Sequence, residues 1–346
     1  MAEQKKHPEN HASVVKYAAF NVDSQLGTPN NHQFSTSVNT HSSYQAGVAT
    51  CSLQHINGVN VSLAIDAVII EEPLEIRLIY SDSVGKEQER VYLVTMRTPG
   101  EDLNLVTGLL LAEGIINSAS DIIGINEQVD LDDTLENEIG QNDIYHNDIR
   151  QNEIDVQLSP DVVVDWALIN RDTTSFSSCG VCGKSSIKSL ELRNMPDLDP
   201  TAAWLSGHVI PHFSEQLRQY QSMFNQTGGV HGCALFDAQG ELLLSCEDVG
   251  RHNALDKLMG KLARSATLDP QGKVVFLSGR ISFELVQKVL VSGISVLIAV
   301  GAPSNLAINM AKRFNLTLIG FCRDGGFNIY HGAFRLNLKT DIAPLL

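Results

Sequence analysis

The sequence predicts an α/β fold with three parts. A C-terminal α/β sheet carries helices on both faces, a smaller N-terminal α/β subdomain precedes it, and a disordered tail leads the chain. Three observations predict this. Residues 196–346 alternate helical and strand periodicity. Residues 60–195 open with strand-like runs followed by one helix. Residues 1–59 are rich in His, Asn, Ser and Gln and poor in large apolar side chains, the composition of a chain too polar to fold. With 346 residues, 43% of them hydrophobic, the chain has room for two domains and a sizeable core.

The elements follow in order. The tail's histidines (His7, His11, His32, His41, His55) have no regular ligand spacing and read as solvated. Order is expected from about Val61. Val68 to Tyr80 reads as strand, bend at Pro73, strand, and Val91 to Met96 as another strand. Pro99-Gly100-Glu101-Asp102 opens a helix that Gly114 closes. Residues 126–155 contain four Asn-acid-Ile triplets spaced by five, from Asn137-Glu138-Ile139 to Asn152-Glu153-Ile154. A period of five fits neither helix nor strand, so this stretch reads as an acidic surface insertion. Further on, His212 to Phe224 is helical, and Gly232–Phe236 and Glu241–Ser245 form a hairpin. Helices over Asn253–Leu262, Ser282–Val291 and Asn305–Phe314 then alternate with strands over Lys273–Leu277, Val296–Val300 and Leu316–Phe321. This order predicts a largely parallel sheet, whose ligands bind beyond the carboxyl ends of the strands. Four polar, glycine-bearing segments fall at such ends. They are Glu247-Asp248-Val249-Gly250-Arg251-His252, Ser278-Gly279-Arg280, Gly301-Ala302-Pro303-Ser304 and Arg323-Asp324-Gly325-Gly326. Each alone suits an ordinary turn; four on one rim predict a site for a cofactor-sized anion.

Charge and composition narrow the function classes. The formal net charge is −15, of which residues 101–160 contribute −13 through 14 acids and one base, Arg150. Nucleic acid is therefore not an expected partner. From Ala311 onward five bases face two acids, which suits a small anionic ligand near the C-terminus. No apolar run reaches membrane-spanning length, and the first residues lack a secretory core. Six scattered cysteines give no disulfide framework. A cytoplasmic protein is expected.

The most reactive stretch is Ser177-Ser178-Cys179-Gly180-Val181-Cys182-Gly183-Lys184. Two thiols at this spacing can hold a metal, form a disulfide or pass sulfur along. A zinc site needs two further ligands, and Cys51, Cys233, Cys246 and Cys322 are isolated, so no structural metal is expected. A thioredoxin-like site follows a buried strand, whereas Arg171 to Phe176 is polar. The residue types instead suit a loop-borne, accessible dithiol over 177–184. Its glycines allow tight turns, and Lys184 favours thiolate.

Together these segments resemble the formate dehydrogenase accessory sulfurtransferase family, FdhD. The resemblance also rests on Glu71-Glu72-Pro73-Leu74, Arg97-Thr98-Pro99-Gly100 and Thr227-Gly228-Gly229-Val230-His231, and it spans about Val68 to Arg335. It implies a homodimeric sulfurtransferase that takes persulfide sulfur from a cysteine desulfurase. The sulfur goes to the bis-guanine-dinucleotide molybdenum cofactor destined for the formate dehydrogenase apoenzyme. By this match Cys179 carries the persulfide, with Cys182 as its neighbour. Phe321, Cys322, Arg323, Asp324, Gly325 and Gly326 match the family's cofactor-binding stretch; Gly326 stands where members often carry a cation, which leaves Arg323 as the anion partner. With the rim, the expected contacts extend to Ser278, Gly279, Arg280, Gly301, Ser304 and His252.

The resemblance also implies a cytidine-deaminase-like C-terminal half, and so a rival chemistry. Zinc deaminases need H-x-E followed by P-C-x-x-C. Here Asn253 and Ala254 follow His252, and the next helix opens Ser278-Gly279-Arg280-Ile281-Ser282 without cysteine. A deaminase-like scaffold is expected without deaminase chemistry. Two other classes compete: a cofactor-holding chaperone, which needs neither thiol, and a dithiol oxidoreductase, which needs both equally.

Overall fold

The structure, a computed structural model, describes residues 47–127, 152–166, 198, 200 and 203–338. The described residues open with a two-stranded hairpin, β1 (Val48–Asn57) and β2 (Asn60–Ile69), paired from Val48↔Ile69 to Asn57↔Asn60. Strand structure therefore reaches into the stretch that composition assigned to the tail. Backbone pairing in β1 prevails over a polar composition that offers little apolar alternation.

The N-terminal subdomain is a four-stranded sheet in the order β4-β3-β6-β5. Its strands are β3 (Glu72–Ser81), β4 (Glu87–Arg97), β5 (Ile122–Glu127) and β6 (Glu153–Leu158). Leu74, Ile76 and Leu78 alternate inward from β3, and Ile154, Val156 and Leu158 do so from β6. Helix α1 (Asp102–Ala112) closes this core with Leu105, Val106 and Leu110. Asn126 and Glu127 thus belong to β5, and Glu153 to Asp155 to the inner strand β6, not to the acidic insertion, a correction to both of its boundaries at 126 and 155. The last triplet repeat runs straight into the Ile154-Val156-Leu158 alternation, which hides the strand's start.

The strands flanking that insertion pair directly, Glu127 opposite Ile154, so their ends are adjacent. Removing residues 128–151 and bridging with a short Gly/Ser linker is expected to leave the thermal melting midpoint unchanged. A deletion continued through Asp155 removes half of β6 and is expected to unfold the subdomain. Comparing the two melts checks the boundary.

The C-terminal domain is built on a six-stranded sheet ordered β13-β12-β11-β10-β8-β9. Its members are β8 (His231–Phe236), β9 (Leu242–Asp248), β10 (Val274–Leu277), β11 (Val296–Ala299), β12 (Thr317–Arg323) and β13 (Gly326–His331). Only β10–β11 and β11–β12 pair in parallel; the other three pairs are antiparallel. The sheet is therefore mixed where a largely parallel one was expected. Strand β8 runs against both of its neighbours, and the edge strand β13 runs against β12 after a two-residue turn at Asp324 (φ 54°) and Gly325 (φ 78°). Both positive angles fit the Asp-Gly hairpin turn.

One face of this sheet packs against α4 (Arg251–Ala263), α5 (Phe283–Val291) and α6 (Asn305–Arg313). Leu255, Leu258, Val286, Val289 and Met310 line that core. The other face packs against a stack of Phe213 on Phe236, 4.2 Å between centroids, with Phe276 edge-on. Burying each such ring contributes about 1.5–3 kcal/mol. The helix expected over His212–Phe224 is instead a 3₁₀ turn at Ile210–His212 and two short helices, α2 (Phe213–Tyr220) and α3 (Ser222–Thr227). The break has a physical cause. The Glu247 carboxylate accepts the backbone N–H groups of Met223 and Phe224 at 2.9 Å each and so starts a new helix.

Helices α1 and α4 join the two domains, and they cross on glycine. A Cβ at Gly108 would lie 1.9 Å from the Asp256 carbonyl oxygen, and one at Gly260 would lie 1.9 Å from that of Asn104. Only glycine at both positions lets the helix backbones touch.

Candidate anion-binding rim

Strand β9 runs antiparallel to β8, and β8 antiparallel to β10, so β9 through β12 end on one edge. All four segments singled out from the sequence lie there. Backbone hydrogen bonds lock them together: Gly301 N–H to Gly279 O (3.0 Å), Phe321 N–H to Gly301 O (3.2 Å) and Ser278 N–H to Gly232 O (2.9 Å). Glycine is needed for this closeness, since a Cβ on Gly301 would sit 2.7 Å from the Gly279 carbonyl oxygen.

The first segment divides its labour. Its two acids serve the fold: Glu247 starts α3, and burial raises its carboxyl pKa while the two N–H groups oppose the shift. Asp248 is fully buried and pairs with Lys257 Nζ at 2.7 Å. Asp248 also accepts the N–H groups of Thr98 (3.1 Å) and Gly250 (2.8 Å). Lys257 donates to the Thr98 carbonyl (2.8 Å), and Thr98 Oγ1 accepts the Val249 N–H (3.0 Å). Arg97, 2% exposed, forks onto Asp102 and holds the start of α1. The Arg97-Thr98-Pro99-Gly100 and Glu247-Asp248-Val249-Gly250 motifs are thus two halves of one buried clasp between the domains. Neither motif signals this role in isolation, because the contacts span about 150 residues of chain.

The second half of that segment faces the rim. Arg251 and His252 open α4, and Arg280 follows β10; neither arginine has an ion-pair partner among the described residues. His231, at the start of β8, sits against Gly279, where a Cβ would lie 3.3 Å from its Nδ1. Burial lowers the pKa of His231, and the nearby charges of Arg251, His252 and Arg280 lower it further against the pull of Asp248. This imidazole is therefore neutral at neutral pH beside two cations. His252 Nε2 lies 3.0 Å from Glu284 Oε2 and 3.3 Å from Ser282 Oγ, so its ring is held from behind by the first turn of α5.

At the end of β12 the ladder is irregular between Gly320 and Arg323, and Phe321 adopts φ 53°. A left-handed phenylalanine is strained, and it turns an exposed ring onto the rim. Arg323 lies beside it, 6.0 Å from ring centroid to guanidinium carbon, and is 61% exposed. Asp324, Gly325 and Gly326 are exposed at the hairpin tip, and a Cβ on Gly326 would meet nothing.

Three of the expected contacts also carry structural duties. Ser278 Oγ accepts the Gly232 N–H at 2.9 Å. Ser304 Oγ caps α6 by accepting the Ala307 N–H at 3.2 Å. Cys322 is buried in the aromatic core with Sγ 3.3 Å from the Ile210 carbonyl oxygen. Burial pushes its thiol up to about 11, so it stays protonated and only its backbone reaches the rim. Cys179 and Cys182 lie outside the described residues. Among the described residues no cluster of His, Cys, Asp or Glu could hold a metal ion, and no helix is long and apolar enough to cross a membrane.

Fold and rim together define a mixed α/β protein with Arg251, Arg280 and Arg323 gathered along one strand-end edge. The chain belongs to the FdhD/NarQ family, whose model matches residues 70–337. It is 38% identical over 288 residues to the sulfur carrier protein FdhD of Streptomyces avermitilis, across 82% of this chain and 93% of that one. The protein of the same name from Saccharolobus solfataricus is 36% identical over 271 residues, covering 78% and 91% of the two chains. A crystal structure of a formate dehydrogenase accessory protein from Desulfotalea psychrophila shares the fold. Its TM-score is 0.59 at 23% identity, over 84% of this chain and 100% of that one.

Proposed function

We propose that the protein is a cytoplasmic, homodimeric sulfurtransferase for formate dehydrogenase. Cys179 accepts a persulfide sulfur from a cysteine desulfurase. The sulfur is then delivered to the bis-guanine-dinucleotide molybdenum cofactor, bound as substrate on the rim, before that cofactor enters the apo-dehydrogenase. The observation that carries this reading is the gathering of Arg251, Arg280 and Arg323 on one strand-end edge, in a chain whose relatives are named sulfur carriers. A dinucleotide is long and polyanionic, and three separated cations with close backbone turns match its phosphates. His231 stays neutral among them and adds a hydrogen-bond donor without adding a charge. Lys184 beside the dithiol favours the thiolate, which is the form that attacks a persulfide sulfur.

Calorimetry with guanosine diphosphate at low salt tests the rim. Arg280→Ala and Arg323→Ala are each expected to weaken binding about tenfold, the low end for a charge-assisted contact because both groups are solvent-open. Unchanged binding in either variant removes that arginine from the site.

A further inference from the structure

Strands β1 and β2 form a two-stranded sheet of their own, and among the described residues both outer edges are unpaired. The root of this arm is fixed to the body. The Ile70 N–H donates to the Gly47 carbonyl at 2.8 Å, and a Cβ on Gly229 would lie 3.2 Å from Ile69 Cγ2. Beyond that root every residue from Gln54 to Leu63 is exposed. A lone ribbon of two strands is at best marginally stable in water.

The two faces of the ribbon differ. The register sets Ile56 opposite Val61, Gln54 opposite Leu63 and Ser52 opposite Ile65, so these six side chains share one face. Ile56 is 66% exposed, Val61 62%, Leu63 84% and Ile65 71%. The other face carries Cys51, Leu53, Ala64 and Asp66, all half-buried. Open aliphatic side chains along an unpaired ribbon invite aggregation unless a partner covers them.

Charge and composition identify that partner. Residues 48–69 carry one formal charge, Asp66, in a chain of net charge −15. Two copies repel one another over most of their surface, and the arm is where they can meet without that cost. The stripe has no aromatic, Arg or Lys anchor of the kind that dominates contacts between different proteins. A strongly apolar, charge-depleted patch is instead typical of interfaces between identical subunits. The stripe also suits a twofold axis. Leu63 holds its middle row, so Leu63 meets the partner's Leu63, and Val61 meets the partner's Ile65. Asp66 lies on the opposite face and stays outside the contact.

We infer that the β1–β2 arm is the surface on which two copies of this chain pair, face to face through Ile56, Val61, Leu63 and Ile65. The inference rests on the homodimer in the reading above and assigns that dimer its interface.

Sedimentation of the full chain over a concentration series tests this. Wild type should sediment as a dimer. Leu63→Glu combined with Ile65→Glu sets four carboxylates in the shared stripe and should raise the dissociation constant about a hundredfold or more. Circular dichroism checks that this variant is folded. Should it unfold, Leu63→Cys gives a second readout: mild oxidation with copper phenanthroline should yield a reducible dimer beyond the wild-type background, and Val163→Cys, equally open but off the arm, should not. A folded double variant that dimerises as tightly as wild type would overturn the inference and leave the homodimer standing. A loss of dehydrogenase activation in that same dimeric variant would give the arm to a client protein instead. A wild type that stays monomeric at every concentration would remove the homodimer from the reading, and this inference with it.

Discussion

Cys179→Ala is expected to abolish desulfurase-dependent sulfur loading and to leave formate dehydrogenase at background activity. Only a thiolate captures a sulfane sulfur, and Cys179 lies in the glycine-flanked CxxC next to Lys184. The thiols in the described core do not compete. Burial drives the pKa of Cys233 and Cys246 upward, with neighbouring negative charge adding to it, and Cys322 is pushed up to about 11. These three stay protonated and enclosed. Cys182→Ala is expected to impair delivery while still permitting some loading. Full dehydrogenase activation by Cys179→Ala would falsify the sulfurtransferase reading and favour a chaperone that only holds the cofactor. Equal loss in both variants would favour a dithiol oxidoreductase.

Lys257→Met is expected to be the most destabilising single change at the domain junction. The Asp248–Lys257 pair has no solvent to fall back on, with side chains 0% and 2% exposed. Losing one partner of such a pair costs about 3–5 kcal/mol, because the remaining charge stays buried. The Thr98 carbonyl also loses its donor. Asp248 keeps the N–H groups of Thr98 and Gly250, which places the loss at the lower end of that range. A drop of about 6 °C or more in melting temperature is the expected readout. The double variant Asp248→Asn with Lys257→Met should recover part of it by removing the stranded charge. A melt of Lys257→Met that matches wild type contradicts the clasp. Since the clasp holds Arg251 and His252 at the start of α4, the single variant should also weaken nucleotide binding without touching the ligand.

Much of this fold is legible in the sequence where apolar runs are short and bounded. Val274 to Leu277 and Val296 to Ala299 are wholly buried strands read as such from uninterrupted apolar residues between turns. The rim followed from their order, since parallel strands must end on one edge. Three things were hidden for physical reasons. Strand β1 mixes polar and apolar residues and is fixed by its partner, Ser52 opposite Ile65 and Gln54 opposite Leu63, not by its own pattern. Strand β13 hides behind an Asp-Gly turn that reads locally as a loop. The clasp is tertiary: Thr98 and Asp248 are ordinary residues until the fold brings them together. At the site, the strand-end arginines were legible as charge beside glycine. The duties of Ser278, Ser304 and Cys322 were not, because a serine that caps a helix and one that meets a ligand look alike in sequence.

Intact mass after incubation with a cysteine desulfurase and cysteine tests the central claim most directly. The account predicts that wild type gains the mass of one or more sulfur atoms, that a thiol reductant removes the gain, and that Cys179→Ala shows none. A wild-type mass that does not change under conditions where the desulfurase is turning over, or an equal gain in Cys179→Ala, would contradict it.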